Sequence, residues 1–188
     1  MLFDHWRRRR TEEAAAERLY EALVTQARSS GFYSAYQVPD SVDGRFELIA
    51  LHVFLLLHRL KASYPDTRRL AQSLHDRFFA DMDRSLREMG AGDLGVGKRV
   101  KRMAEAFYGR IPAYEGALAD DDLAADALRR NLYGTLSDVG EDSLRAMTGY
   151  MAAQVACLAG QDAAALMAGE VTFLPLEKSL QTAAEAAP

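Results

Sequence analysis

The chain has 188 residues, 49% hydrophobic and 27% charged, a balance that allows one domain with a real core and excludes a disordered polyelectrolyte. A net charge of -4 excludes nonspecific binding of duplex DNA as the main activity, and the lone cysteine, Cys157, excludes both an internal disulfide and a cysteine-built zinc cage. The charge is uneven: up to residue 114 there are 19 basic against 15 acidic side chains, and beyond it 4 against 12, so a basic surface can form on one part of an acidic protein. Alanine, leucine, arginine and glutamate abound and there are only five prolines, which favours helix.

Residues 1–10, MLFDHWRRRR, read as a short basic arm. Phe3, Trp6 and Arg7, Arg8, Arg9 and Arg10 lack the apolar stretch and small-residue cleavage site of a secretory signal. They suit a solubilising terminus, an anchor that dips its rings into an anionic membrane surface, or a contact with ribosomal RNA. Thr11 is the expected cap of a first helix that runs to about Ser30, with Glu12, Glu13 and Glu17 near its positive end. Residues 31–42 hold Phe32, Tyr33 and Tyr36 without a clear period, and predict a structured loop with its rings against the core.

Asp43 is the expected cap of a second helix over about 44–62. Its segment 48–57 is apolar nearly all round, as in a helix covered by neighbours on several sides. It is too short to span a bilayer, and so is every other apolar window, since a span needs about 18 such residues. Pro65 and Asp66 introduce a third helix. There Leu70, Leu74, Phe78, Met82 and Leu86 recur at i+4, with Phe79 and Met89 widening the stripe. A glycine-rich corner at 90–92 ends it. A fourth helix follows on Val96, Val100, Met103, Phe107, Ile111, Tyr114 and Leu118, with Pro112 expected to kink or break it. A fifth spans 120–132 with Leu123, Leu128 and Leu132 inward, and a sixth spans about 142–159 on Leu144, Met147, Met151, Val155 and Leu158. Residues 161–188 lose the pattern, apart from one turn at 163–167.

The corner matches two nucleotide motifs by letter. Residues 90–95 fit G-x-G-x-x-G, and 92–98 fit most of the phosphate loop. Both motifs need a preceding strand, and here an amphipathic helix precedes; Arg99 also stands where the magnesium-holding hydroxyl belongs. The expected role is a structural corner, in which glycines supply positive φ and close helix packing. His5, His52, His58 and His75 have no ligand spacing, Cys157 has no visible histidine partner, and Asp81 and Asp83 diverge on a helix. No metal, cofactor or catalytic residue is expected.

The polar face of the fourth helix carries Lys98, Arg99, Lys101 and Arg102, with Lys98, Lys101 and Arg102 on one side. Four cations in five residues repel one another unless acids lie opposite. Either a neighbouring acidic surface of the same chain neutralises them or they form a docking face.

Three stretches carry a family resemblance: LHVFLLLHRL at 51–60, FFADMDRSLREMGAGDLGVGKRVKRMAEAFYGRIPAY at 78–114, and LRRNLY at 128–133. On these the chain resembles the ubiquinol–cytochrome c reductase assembly chaperones, bacterial relatives of a mitochondrial cytochrome b assembly factor. The likeness covers roughly residues 20 to 155. It implies a non-enzymatic chaperone that holds newly made cytochrome b for the ubiquinol–cytochrome c reductase complex. Mitochondrial relatives work with a small partner protein, so a second chaperone subunit is a further candidate partner. A binder of apolar membrane helices needs an apolar groove beside a basic rim. Phe78, Phe79, Phe107, Tyr108 and the aromatics at 32–36 are the groove candidates; the same spacings also fit plain core.

The expected architecture is all-α: one domain of about six helices around the apolar second helix, as 11–160, with the arm at 1–10 and an irregular extension at 161–188. The expected location is the cytoplasm, with the arm offering a peripheral contact at the cytoplasmic face of the inner membrane. Two other classes remain open: a helical RNA- or ribosome-binding module, recognisable by steep salt dependence, and an enzyme with a cofactor in a helical pocket, recognisable by a bound chromophore.

Overall fold

A computed structural model describes residues 2–90 and 93–176. Its helical segments are α1 (Leu2–Ala27), α2 (Gly31–Ser34), α3 (Val42–Lys61), α4 (Arg68–Glu88), α5 (Asp93–Ala117), α6 (Asp121–Asn131), α7 (Glu141–Ala159) and α8 (Ala163–Met167). There is no strand among the described residues. The six long helices are those the 3.6-residue period predicts; α2 and α8 are short additions.

The centre is α3. Every residue from Leu48 to Leu56 is buried, and the helix packs against α1, α4, α5 and α7. This is the physical meaning of an apolar run without a polar stripe. The cap differs from expectation: Ser41 Oγ accepts the Gly44 N–H at 3.1 Å, and Asp43 lies one step inside, facing the positive helix end. Gly44 is required there. A Cβ on it would lie 2.0 Å from the Pro39 carbonyl oxygen, well inside van der Waals contact.

The stripe of α4, Leu70 through Leu86, is buried as predicted, whereas Met89 at its end is exposed. Its partner is α1, through Ala15, Ala16, Leu19, Tyr20 and Leu23. Polar pairs lock this contact: Tyr20 Oη donates to the buried Asp81 at 2.9 Å, Arg77 binds Glu17, and Arg77 and Arg84 neutralise Asp81. A buried carboxylate is tolerated only with partners of this kind.

Three boundaries differ from the sequence expectation. The basic arm is the first turns of α1, not a separate segment. Thr11 sits inside the helix and returns its Oγ1 proton to the Arg7 carbonyl at 3.0 Å. Helix α5 runs through Pro112 to Ala117, with the ring on the exposed side. The extension past residue 160 returns to the core, burying Leu166, Phe173 and Leu176. Gly169 makes that return possible at φ +80, where an added Cβ would lie 2.9 Å from Ala15 Cα. In α6, Leu128 and Leu132 point inward as expected, but Leu123 is 51% exposed. Residues 121–123 form the first turn, where Asp120 Oδ1 accepts the N–H groups of Asp122 and Leu123 at 2.9 and 3.0 Å, and all three are exposed.

A buried polar chain ties the returning segment down. His52 Nδ1–H donates to Leu48 O at 2.7 Å, and its Nε2 accepts from Tyr150 Oη at 2.6 Å. Gln26 Nε2 donates both to Tyr150 Oη and to the Leu174 carbonyl. Gln154 brackets Leu174, accepting from its N–H at 3.0 Å and donating to its carbonyl at 2.8 Å. His52 is fully buried, and burial pushes its imidazole down to about 4, so it is neutral at physiological pH.

Candidate functional site

The glycine-rich corner resolves into one turn glycine and several helix glycines. Gly90 has φ +83, the left-handed conformation that ends α4. Ala91 and Gly92 lie outside the described residues. Gly95 and Gly97 are in the first turns of α5, and an added Cβ on either would meet nothing within 4 Å. They supply neither positive φ nor close helix contact, contrary to the role expected of them. The segment before the corner is α4, a helix, as read from the sequence.

The aromatic candidates divide. Phe78 and Phe107 are buried to 0% and 1% exposure and meet in a tilted contact with centroids 5.2 Å apart, so they are core and line no groove. Phe32 and Tyr36 are likewise fully buried. The reason is geometric: Phe78 and Phe107 lie on the facing stripes of α4 and α5, and Phe32 of α2 packs onto His52 of α3 and Tyr150 of α7, whereas the half-buried Tyr33 lines a surface cleft. Phe79 and Tyr108 lie at the edge, Phe79 half-buried and Tyr108 half-exposed, with the Tyr108 hydroxyl hydrogen-bonded to His75 Nε2.

The basic candidates are exposed. Lys101 approaches Glu105 at 3.8 Å, and among the described residues Lys98, Arg99 and Arg102 have no carboxylate within 4.0 Å. The four also differ in what they line. Arg99 and Arg102, one turn apart, reach into a surface cleft, while Lys98 and Lys101 do not line it. At the other end of the molecule Trp6 is 55% exposed beneath the Arg10 guanidinium at 4.8 Å, Arg9 pairs with Glu13 at 2.9 Å, and Arg7 is exposed. The side chains of Phe3 and Arg8 lie outside the described residues.

The cleft is an open groove of about 1270 Å³ between the start of α3, the end of α4, the first half of α5 and the end of α6. Its floor is apolar: Phe46 and Ile49 from α3, Met82 and Leu86 from α4, Met103 from α5. Val42 and Met89, 62% and 54% exposed, stand at its edge. Its rim is cationic. Arg45 is held by Asp40 at 2.8 Å, and Arg110 clamps Glu47 with two hydrogen bonds. Burial pushes the Glu47 carboxyl above the usual carboxylate range, against the pull of Arg110. Arg28, Arg99, Arg102 and Arg130 have no carboxylate partner among the described residues. Sequence reasoning missed Arg28, Arg130, Val42 and Met89 because each is isolated in its own segment. Only the assembled fold brings them to one cleft.

Among the described residues no three His, Cys, Asp or Glu side chains are placed to hold a metal, and no helix is long and apolar enough to cross a membrane. Cys157 is half-buried, its Sγ 3.6 Å from the Thr172 carbonyl.

Fold and cleft define an all-α domain with an open, arginine-rimmed groove over an apolar floor. The chain belongs to the ubiquinol-cytochrome C chaperone family, whose model matches residues 34–173. This bears out the resemblance seen at 51–60, 78–114 and 128–133. A crystal structure of the Cbp3 homolog from Brucella abortus superposes with a TM-score of 0.82 at 40% identity, covering 95% of this chain and 99% of that one. The chain is also 30% identical over 173 residues to ubiquinol-cytochrome-c reductase complex assembly factor 1 of Xenopus laevis, covering 89% of this chain and 85% of the frog protein. To the mitochondrial protein CBP3 of Saccharomyces cerevisiae it is 28% identical over 160 residues, covering 83% of this chain and 48% of the yeast protein. It thus spans nearly the whole frog relative but about half of the yeast one.

Proposed function

We propose that this chain is a non-enzymatic assembly chaperone that holds newly made cytochrome b and passes it into the ubiquinol–cytochrome c reductase complex. Family membership across residues 34–173 carries the reading. The open groove supports it physically, because a client with exposed apolar helices needs an apolar surface that the folded chaperone leaves uncovered. The exposed Trp6 and its flanking arginines on the first turns of α1 are the candidate contact with an anionic membrane face or a ribosome, where such a client emerges. A second chaperone subunit belongs to the same proposal.

The test is affinity purification of the tagged chain from mildly solubilised membranes of its native host. Cytochrome b is expected to co-purify in excess over mature subunits of the complex, and a deletion strain is expected to lose the assembled complex. Normal assembly in the deletion strain, with no cytochrome b on the tagged chain, refutes the proposal.

A further inference from the structure

The groove has a floor without a partner and a rim with unspent charge. Three methionines, Met82, Met89 and Met103, contribute to it, and methionine adapts its shape to different apolar partners where branched side chains cannot. Two of the rim cations, the exposed Arg45 and the largely buried Arg110, already have carboxylates. Those left over, Arg28, Arg99, Arg102 and Arg130, come from three different elements around the same floor, not from one cluster. One phosphate head group meets one cluster of donors; cations set around an apolar floor fit a ligand with negative charge at more than one point.

We propose that the groove takes an apolar helix flanked by carboxylates, and that the arginine rim selects among membrane helices by their flanking charge. This rests on the chaperone reading and names how its client is chosen. Membrane helices commonly carry Lys and Arg on their cytoplasmic flanks. The rim repels those ends and accepts acidic ones, so discrimination comes from repulsion of the wrong segment as well as attraction of the right one. The apolar floor contributes affinity without choosing a sequence, and the rim contributes the choice. Arg99 and Arg102 form one half of that rim on the solvent side of α5, where neither supports the core.

The experiment uses the full chain and two synthetic peptides in mild detergent, each with the same Leu/Ala helix of about 20 residues. One carries paired Glu at both ends, the other paired Lys. The wild-type chain is expected to bind the Glu-flanked peptide on the order of tenfold more tightly at low salt, with the gap closing as salt rises. The double variant Arg99→Glu/Arg102→Glu is expected to keep its melting temperature and reverse the preference. A second variant, Val42→Ser/Met89→Ser, is expected to weaken both peptides alike. Equal binding of the two peptides, no binding of either, or displacement of neither by the charge reversal overturns the proposal. So does stronger binding of vesicles of anionic phospholipid that abolishes peptide binding, which would make the groove a lipid site, and so does a dimer that closes the groove in solution. Cytochrome b recovery separates this inference from the reading beneath it. If wild type and the Arg99→Glu/Arg102→Glu variant recover it equally, the groove falls and the chaperone stands. If wild type recovers none, the chaperone reading falls, and the peptides still decide the groove.

Discussion

Acid should destabilise this protein in part through a buried histidine, His52. The ring is fully buried, donates to Leu48 O and accepts from Tyr150, so protonation would place a charge in the core and remove the acceptor that His52 offers the Tyr150 hydroxyl proton. Its folded value of about 4 lies below the ordinary 6.5. Between these values the unfolded chain binds more protons than the folded one, so stability rises with pH across this window and is lost as pH falls through it. The gap corresponds to roughly 3 kcal/mol of stability present at pH 7 and absent below pH 4. Carboxylates also titrate in acid, so the informative quantity is the difference between wild type and His52→Gln, whose amide can still accept from Tyr150. Urea unfolding at a series of pH values from 7 to 4 measures it. Wild type should lose about 3 kcal/mol more than the variant across that range. Parallel curves, or an NMR titration of His52 with an ordinary midpoint, would show that the ring is not held neutral by burial and refute the reasoning.

Two glycine predictions run in opposite directions. Gly44→Ala forces a methyl group against the Pro39 carbonyl and should lower stability by about 2 kcal/mol or more, read as a fall in the denaturant midpoint. Gly97→Ala and Gly109→Ala add a methyl group to open space within α5 and should each raise stability by about 0.5–1 kcal/mol; a loss would mean that these sites are not free helix surface.

The sequence by itself determined the helices, because an amphipathic stripe records which side of a segment will be covered. Leu70, Leu74, Phe78, Met82 and Leu86 repeat at the helical period, and α4 buries all five. The all-round apolar run at 48–57 announced the central helix for the same reason, and all of it but Leu57 is buried. Ends were less legible. Thr11 and Asp43 both satisfy a capping pattern, yet α1 starts nine residues earlier and Ser41 caps α3, since a cap is fixed by where the chain enters the core. The candidate site was half legible. A cluster such as 98–102 shows in one segment, so its cations were found, but spacing could not tell that Arg99 and Arg102 face the cleft while Lys98 and Lys101 do not. The aromatics at 78 and 107 have the composition of a binding groove and became core, because facing stripes of two packed helices cover each other. The groove itself belongs to the tertiary structure alone: Arg28, Ile49, Met82, Met103 and Arg130 lie far apart in the chain, and only the packing of α3, α4, α5 and α6 places an apolar floor beside a rim of arginines.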